Sequence, residues 1–555
     1  MATVSLPVRH AQRPSRPSRW RLLGEQLGYA LRDLWRTRIV FVFTFLFPLT
    51  WLVVLGLVIG NATVHEGVRM MQFITPTAAV MGVLYATLPT MASSLAAARE
   101  TGVLKRVRGT PLPGGVYLAG RVGATVVFAL GSLVTMVLVG VVAYDVAVIW
   151  RTMPATVVTM VVAIASLSAC GLAMATLFRS ASVVQAASIA VAVVLGFLSG
   201  VLVVGDMPTW ADRVASVFPL KAFNEAVQAQ FDPFASGAGW DLGALAILTA
   251  WGVGAGLVAV RRFRWEPVAA AGRPRPAMAG TPAETDAPVV RTTSAPSVVP
   301  AQPSWAGLLL SEVRWATRAA LRDPGWVFFA VAMPVGLYAY IVSAVPAEGT
   351  GEVGAPIGLE IAAGMIAWGA AVTGFVNMPE AVAQARDRGA LKRLRGTPLS
   401  PALYLAGRTV SALGIGLATG VLVLVVGLLA FGLEISWAGL PLAGAMLLLG
   451  TMSLAACGFA LVSLLPSAKA VTAVGLAVLL PLGFFSDVFM FGGGIPDWMS
   501  TVGSLMPLKH MANSVSMALD PAGVSFSPLA LGVMTAWLVG MGLVAARTFR
   551  WSKRD

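Results

Sequence analysis

Few residues in this chain could do chemistry, and the most distinctive of them occur twice. The segment "LKRVRGTPL" at 104–112 returns as "LKRLRGTPL" at 391–399, and each follows a basic–acidic pair, Arg99-Glu100 or Arg386-Asp387. Glu100, Lys105, Arg106, Arg108 and Thr110 in the first copy, and Asp387, Lys392, Arg393, Arg395 and Thr397 in the second, are close enough to share one short helical surface. Leu104 and Leu391 would be its apolar anchors, and the Gly-Thr-Pro that follows would end the helix. Such a patch suits ion pairing with a partner protein. A plain positive loop between two membrane helices is the competing reading, but it predicts only basic character, not a matched sequence.

Other chemistries lack their residues. His10, His65 and His510 are isolated, and Cys170 and Cys457 stand alone in apolar stretches, so neither a metal site nor a disulfide framework is expected. No cluster of acids is available to hold Mg²⁺ or act as a base. No lysine precedes Ser or Thr, so the phosphate-binding GxxxxGK[ST] loop is absent. The chain should bind no cofactor of its own.

The elements that position the two patches follow from composition. Of 555 residues 57% are hydrophobic and 12% charged, with mean hydropathy +0.80. Soluble domains carry about 25% charged residues, so the chain reads as an all-α integral membrane protein. A crossing takes about 20 apolar residues. Six candidates fall at about 39–60, 71–98, 117–143, 154–178, 183–205 and 242–260, and six more at about 326–344, 357–379, 403–432, 438–464, 470–490 and 527–546. The first 38 residues hold eight arginines and no apolar run of signal-peptide type, so no cleaved signal is expected. Residues 20–35 are amphipathic and should lie along the membrane surface.

With both termini inside, 34 of the 39 Lys and Arg fall on the inner side and 14 of the 25 acids on the outer, about +23 against −9. This matches the positive-inside rule and accounts for the pI of about 10.5 without nucleic acid. A plasma-membrane protein with cytoplasmic ends is expected. The twelve predicted spans contain few acids: Glu360 and Asp487 lie near outer ends and Glu434 in an outer loop. A proton relay within the chain is therefore not expected.

Residues 102–121 align with 389–408 at an offset of 287, with 14 of 20 positions identical. "SLSACG" at 166–171 pairs with "SLAACG" at 453–458, "GFLS" at 196–199 with "GFFS" at 483–486, and "RRFRW" at 261–265 with "RTFRW" at 547–551. The chain is a tandem duplication: 1–265 and 305–555 are two six-span units of like orientation, joined by a Pro/Ala-rich segment, 266–304, that reads as a flexible cytoplasmic linker.

The two loop sequences, the amphipathic helix before six spans, and the outer segments "FPLKAFNEAVQ" (218–228) and "MPLKHMANSVS" (506–516) together resemble type-2 ABC exporter permeases. The tandem fusion is similar to actinobacterial drug-efflux and tetronasin-type antibiotic exporters. The resemblance implies that the basic loops are coupling helices seated on two copies of a separate cytoplasmic ATPase, which would hold ATP and Mg²⁺. It also implies a path between the halves along the second and fifth spans of each. Phe197 and Phe484, at matched points of the fifth spans, would constrict this path or else pack as ordinary aromatics. An apolar or amphiphilic substrate (antibiotic, drug or lipid) fits a charge-poor path. An ATP-independent secondary transporter and a membrane scaffold are the other readings.

Overall fold

The computed structural model describes residues 18–60, 62–63, 67–110, 112–178, 180–202, 208–263, 304–345, 353–394, 396–489 and 496–548. Arg395 and nearly all of the linker, 264–303, lie outside the described residues. Among those described the chain is helical, and twelve helices are long and apolar enough to cross a membrane. Spans 1–6 are Val42–Ile59, Met71–Glu100, Gly114–Tyr144, Trp150–Leu177, Ala181–Leu198 and Leu242–Arg262; spans 7–12 are Pro324–Ala344, Ile357–Asp387, Ala402–Ala430, Trp437–Leu464, Ala468–Phe485 and Pro528–Thr548.

Each half is built around its second helix. Spans 2 and 8 are 89% and 94% buried over their most apolar windows, whereas spans 6 and 12 are only 17% buried and form the rim. Both central helices run deeper toward the basic loops than hydropathy indicates, ending at Glu100 and Asp387. As a result Glu380, just beyond the predicted eighth span, lies within the helix itself.

A repeated device joins the first three spans of each half. Span 1 opens into a π turn at Val42–Leu46, and span 7 does so at Phe328–Ala332. Pro48 and Pro334 follow; proline cannot donate to the carbonyl four residues back. Those carbonyls are taken instead by hydroxyls of the third helix: Ser132 Oγ donates to Thr44 O (2.7 Å) and Thr419 Oγ1 to Ala330 O (3.0 Å). The second helix brings glycine to both junctions. A Cβ on Gly82 would lie 2.0 Å from Ser132 Oγ, and one on Gly369 3.0 Å from Ala330 O.

The "GFLS" and "GFFS" repeats are helix ends. Spans 5 and 11 stop earlier than expected because the chain turns through left-handed backbone at Gly200 (φ 67°) and Asp487 (φ 58°). The amides of Val201 and Val488 then return to the carbonyls of Gly196 and Gly483. Short helices follow at Thr209–Ala215 and Pro219–Gln230, and at Asp497–Ser504 and Pro507–Leu519. Buried Lys221 ties the first pair together through Asp212 and also meets Glu225 on its own helix, and Lys509 Nζ reaches Ser500 Oγ (2.8 Å) in the second. Gln228 Nε2 meets Thr77 Oγ1 at 2.7 Å, so Pro219–Gln230 penetrates the bundle beside span 2.

The expected surface helices are present at Arg19–Arg36 and Trp305–Leu321, capped by Ser18 and Ser304. They lie on spans 3 and 9, where Arg408 Nε pairs with Glu312 Oε1 (2.9 Å). Burial raises the Glu312 carboxyl above its usual range while Arg408 opposes the rise.

The halves meet reciprocally. Span 5 packs on the start of span 7, and span 11 on span 1. Ala211 of the first half is buried in the core of the second, and Met499 of the second in the core of the first. Tyr340 OH donates to Phe197 O across the junction (3.1 Å).

Candidate functional site

The basic loops are built the same way twice. Span 2 takes in Glu100, which therefore does not share the loop helix as expected. It ends at Glu100, and Gly102 turns the chain at φ 72°, a left-handed conformation that glycine adopts without strain. The helix Val103–Arg108 follows, and Thr110 closes it by donating to Val107 O (2.7 Å) and accepting from Leu112 N (3.4 Å). In the second half Gly389 (φ 70°), Ala390–Leu394 and Thr397 do the same, with 2.6 Å from Thr397 Oγ1 to Leu394 O.

Lys105, Arg106, Arg108 and Thr110 are exposed, as are Lys392, Arg393 and Thr397. Leu104 and Leu391 are not outward-facing anchors. Both are 0% exposed, Leu104 within a cluster that includes Leu95, Tyr117 and Val184, and Leu391 with Val382, Tyr404 and Val471. The basic face outside and the leucine inside are two sides of one short helix.

The pair before each loop performs a task that sequence reasoning missed. Arg99 Nη1 donates to Ala175 O (2.8 Å) and Nη2 to Phe178 O (2.7 Å), satisfying carbonyls at the end of span 4. Arg386 repeats this on Val462 O (2.6 Å) and Leu465 O (2.7 Å). Glu100 Oε2 accepts the amide of Ala181 (3.1 Å), and Asp387 Oδ2 that of Ala468 (2.9 Å), the first residues of spans 5 and 11. A cation on helix-terminal carbonyls and an acid on a helix-terminal amide are both favourable pairings. The end of span 2 is thereby clamped to spans 4 and 5, and that of span 8 to spans 10 and 11. The recurrence of a charged pair ahead of each positive-φ glycine, in otherwise apolar helices, was the available signal.

Between the halves lies a cavity of about 680 Å³. Spans 1 and 5 line it from the first half and spans 7, 8 and 11 from the second, while span 2 supplies Tyr85. Three of the four spans expected along the path, 5, 8 and 11, therefore line this space; span 2 contributes little, and spans 1 and 7, not expected there, line it as well. Phe197 and Phe484 both border it, and each also packs against the other half's core. Phe197 lies 6.2 Å from the Tyr340 ring, and Phe484 5.4 Å from that of Phe489.

The sequence model of the family described as ABC-2 type transporter matches residues 27–231 and again 308–519. The chain belongs to the ABC-2 type transporter family. The two matches fall one in each half, so this ABC-2 chain is a tandem repeat of the family's membrane domain. That domain is a multi-pass permease without a nucleotide-binding domain and works with ABC ATPase subunits. No curated protein sequence matches the chain.

Proposed function

We propose that this chain is the membrane permease of an ATP-driven exporter, with one ATPase subunit seated on each basic loop at the cytoplasmic side. Its cargo is an apolar or amphiphilic compound of drug, antibiotic or lipid type. The observation that carries the reading is the duplicated clamp: a short basic helix whose root is hydrogen-bonded to the ends of two further spans in each half. Such a loop passes a push from below to three helices at once. Lys105, Arg106 and Arg108, with Lys392 and Arg393, form the docking faces, joined by Arg395 on the sequence repeat. Glu100 and Asp387 position those faces by holding spans 5 and 11. The cavity between the halves is the substrate space, and Phe197 and Phe484 narrow it.

The test is reconstitution of the chain with a candidate ABC ATPase in proteoliposomes. Native mass spectrometry of the complex should give two ATPase subunits per permease chain, and hydrolysis should rise with transported substrate. An active assembly holding two permease chains would refute the pairing of halves within one chain. Transport that persists without ATPase and collapses with a protonophore would establish a secondary transporter instead.

A further inference from the structure

The duplicated halves differ most tellingly inside the cavity. Asn377, Glu380 and Gln384 follow one another at spacings of three and four on span 8, so they share one helix face, and all three border the cavity. At the matched positions of span 2, at an offset of 287, stand Thr90, Ser93 and Ala97, none of which lines it. The second half alone thus brings a carboxylate to the shared space.

The surroundings of Glu380 leave that carboxylate without a countercharge. Among the described residues the cavity lining contains no Lys, Arg or His. Gln384 Nε2 donates to Glu380 Oε1 at 3.0 Å, and the guanidinium of Arg388 reaches Gln384 Oε1 (3.2 Å) rather than the acid. Asp323, the other acidic residue on the lining, is committed to capping span 7, accepting from Gly325 N (2.9 Å) and Trp326 N (3.2 Å). One turn from Glu380, Asn377 Nδ2 is buried with no hydrogen-bond partner among the described residues. The remaining wall is mostly apolar, with the rings of Phe43, Phe47, Trp326 and Phe329 set among aliphatic side chains. A carboxylate without a countercharge in an apolar chamber that holds several rings complements an organic cation: the acid takes the charge, ring faces attract it further, and the walls take the apolar body.

We propose that the cavity is a binding site for amphiphilic amines, with Glu380 receiving the ammonium group and Asn377 orienting it. The inference rests on the cavity being the substrate space. It predicts a polarised site, with the charged end of the ligand always on span 8.

The test uses the full chain alone in nanodiscs of zwitterionic lipid, without ATPase, so it does not depend on coupling. The probes are dansylcadaverine, a protonated amine at neutral pH, and its N-acetyl derivative, which has no positive amine. Saturable fluorescence enhancement should show the amine binding at least ten-fold more tightly than the amide. Glu380→Gln should weaken the amine about ten-fold and leave the amide unchanged, while Glu380→Asp should restore part of the preference. Equal binding of both probes by the native chain, or no response of the amine to Glu380→Gln, would overturn the proposal while leaving an uncharged substrate space intact. Absence of saturable binding by either probe would overturn both readings. The comparison of probes on the native chain needs no variant, so misfolding of Glu380→Gln would not hide the answer.

Discussion

Leu104 and Leu391 change what a useful mutation is. Read from sequence, each leucine beside its basic cluster is a contact offered to a partner, and Leu104→Glu would be a clean docking variant. In the structure each is fully enclosed by its own half. An unpaired carboxylate in that cluster would cost several kcal/mol. Leu104→Glu is therefore expected to lower thermal stability in detergent and the yield of monodisperse protein, whether or not an ATPase is present. The docking face is better tested by Lys105→Glu, Arg106→Glu and Arg108→Glu together. One exposed ion pair contributes only about 0–1 kcal/mol, so single reversals should barely alter ATPase co-purification, whereas the triple reversal should weaken it strongly at unchanged stability. Undiminished ATPase binding by a correctly inserted variant with both loops reversed would show that these residues only set topology. The inward turn of Leu104 was not legible because a helix of six residues is too short for an apolar period to reveal its buried side. The exposure of the charges was legible, since unpaired charge avoids an apolar core.

At the scale of elements, twelve spans, the surface helices and the duplication could be read from hydropathy and repeated words. The joints between helices could not. The partners of Arg99 lie 76 and 79 residues along the chain, and nothing in the sequence names them: Ala175 and Phe178 are apolar residues contributing only backbone oxygen. The hydroxyls of Ser132 and Thr419 likewise answer a proline on another helix, which no local pattern records. The clamp has a testable consequence. Arg99→Ala strands two carbonyls at a part-buried helix end, an effect of about 1–3 kcal/mol, and disconnects the loop from span 4 without touching the docking face. The ATPase should still co-purify with Arg99→Ala, but substrate should no longer accelerate hydrolysis. Replacing Arg386 as well should deepen that loss. Normal stimulation in the double variant, with protein of native stability, would show that the clamp holds the fold and does not transmit motion.

At the scale of the molecule, the repeat makes two near-equal halves and the cavity lies where they cross. Span 5 of the first half meets the start of span 7 so closely that a Cβ on Gly325 would lie 2.8 Å from that of Ala186. Both residues border the cavity near the ends of their spans that adjoin the basic loops. This contact joins the two halves at that end of the cavity. Disulfides hold their Cβ atoms about 3.5–4.5 Å apart, so a small easing of the two helices admits a bond. In a background with Cys170→Ala and Cys457→Ala, Ala186→Cys with Gly325→Cys should cross-link on mild oxidation. A protease site placed within 266–304 would reveal the bond, because the cut halves would stay together on a non-reducing gel and part after reduction. The oxidised protein should keep its ATPase but lose export and substrate-stimulated hydrolysis, and dithiothreitol should restore both. Quantitative cross-linking with export at the native rate would mean that the halves do not separate along this seam, and that cargo enters by another face of the bundle.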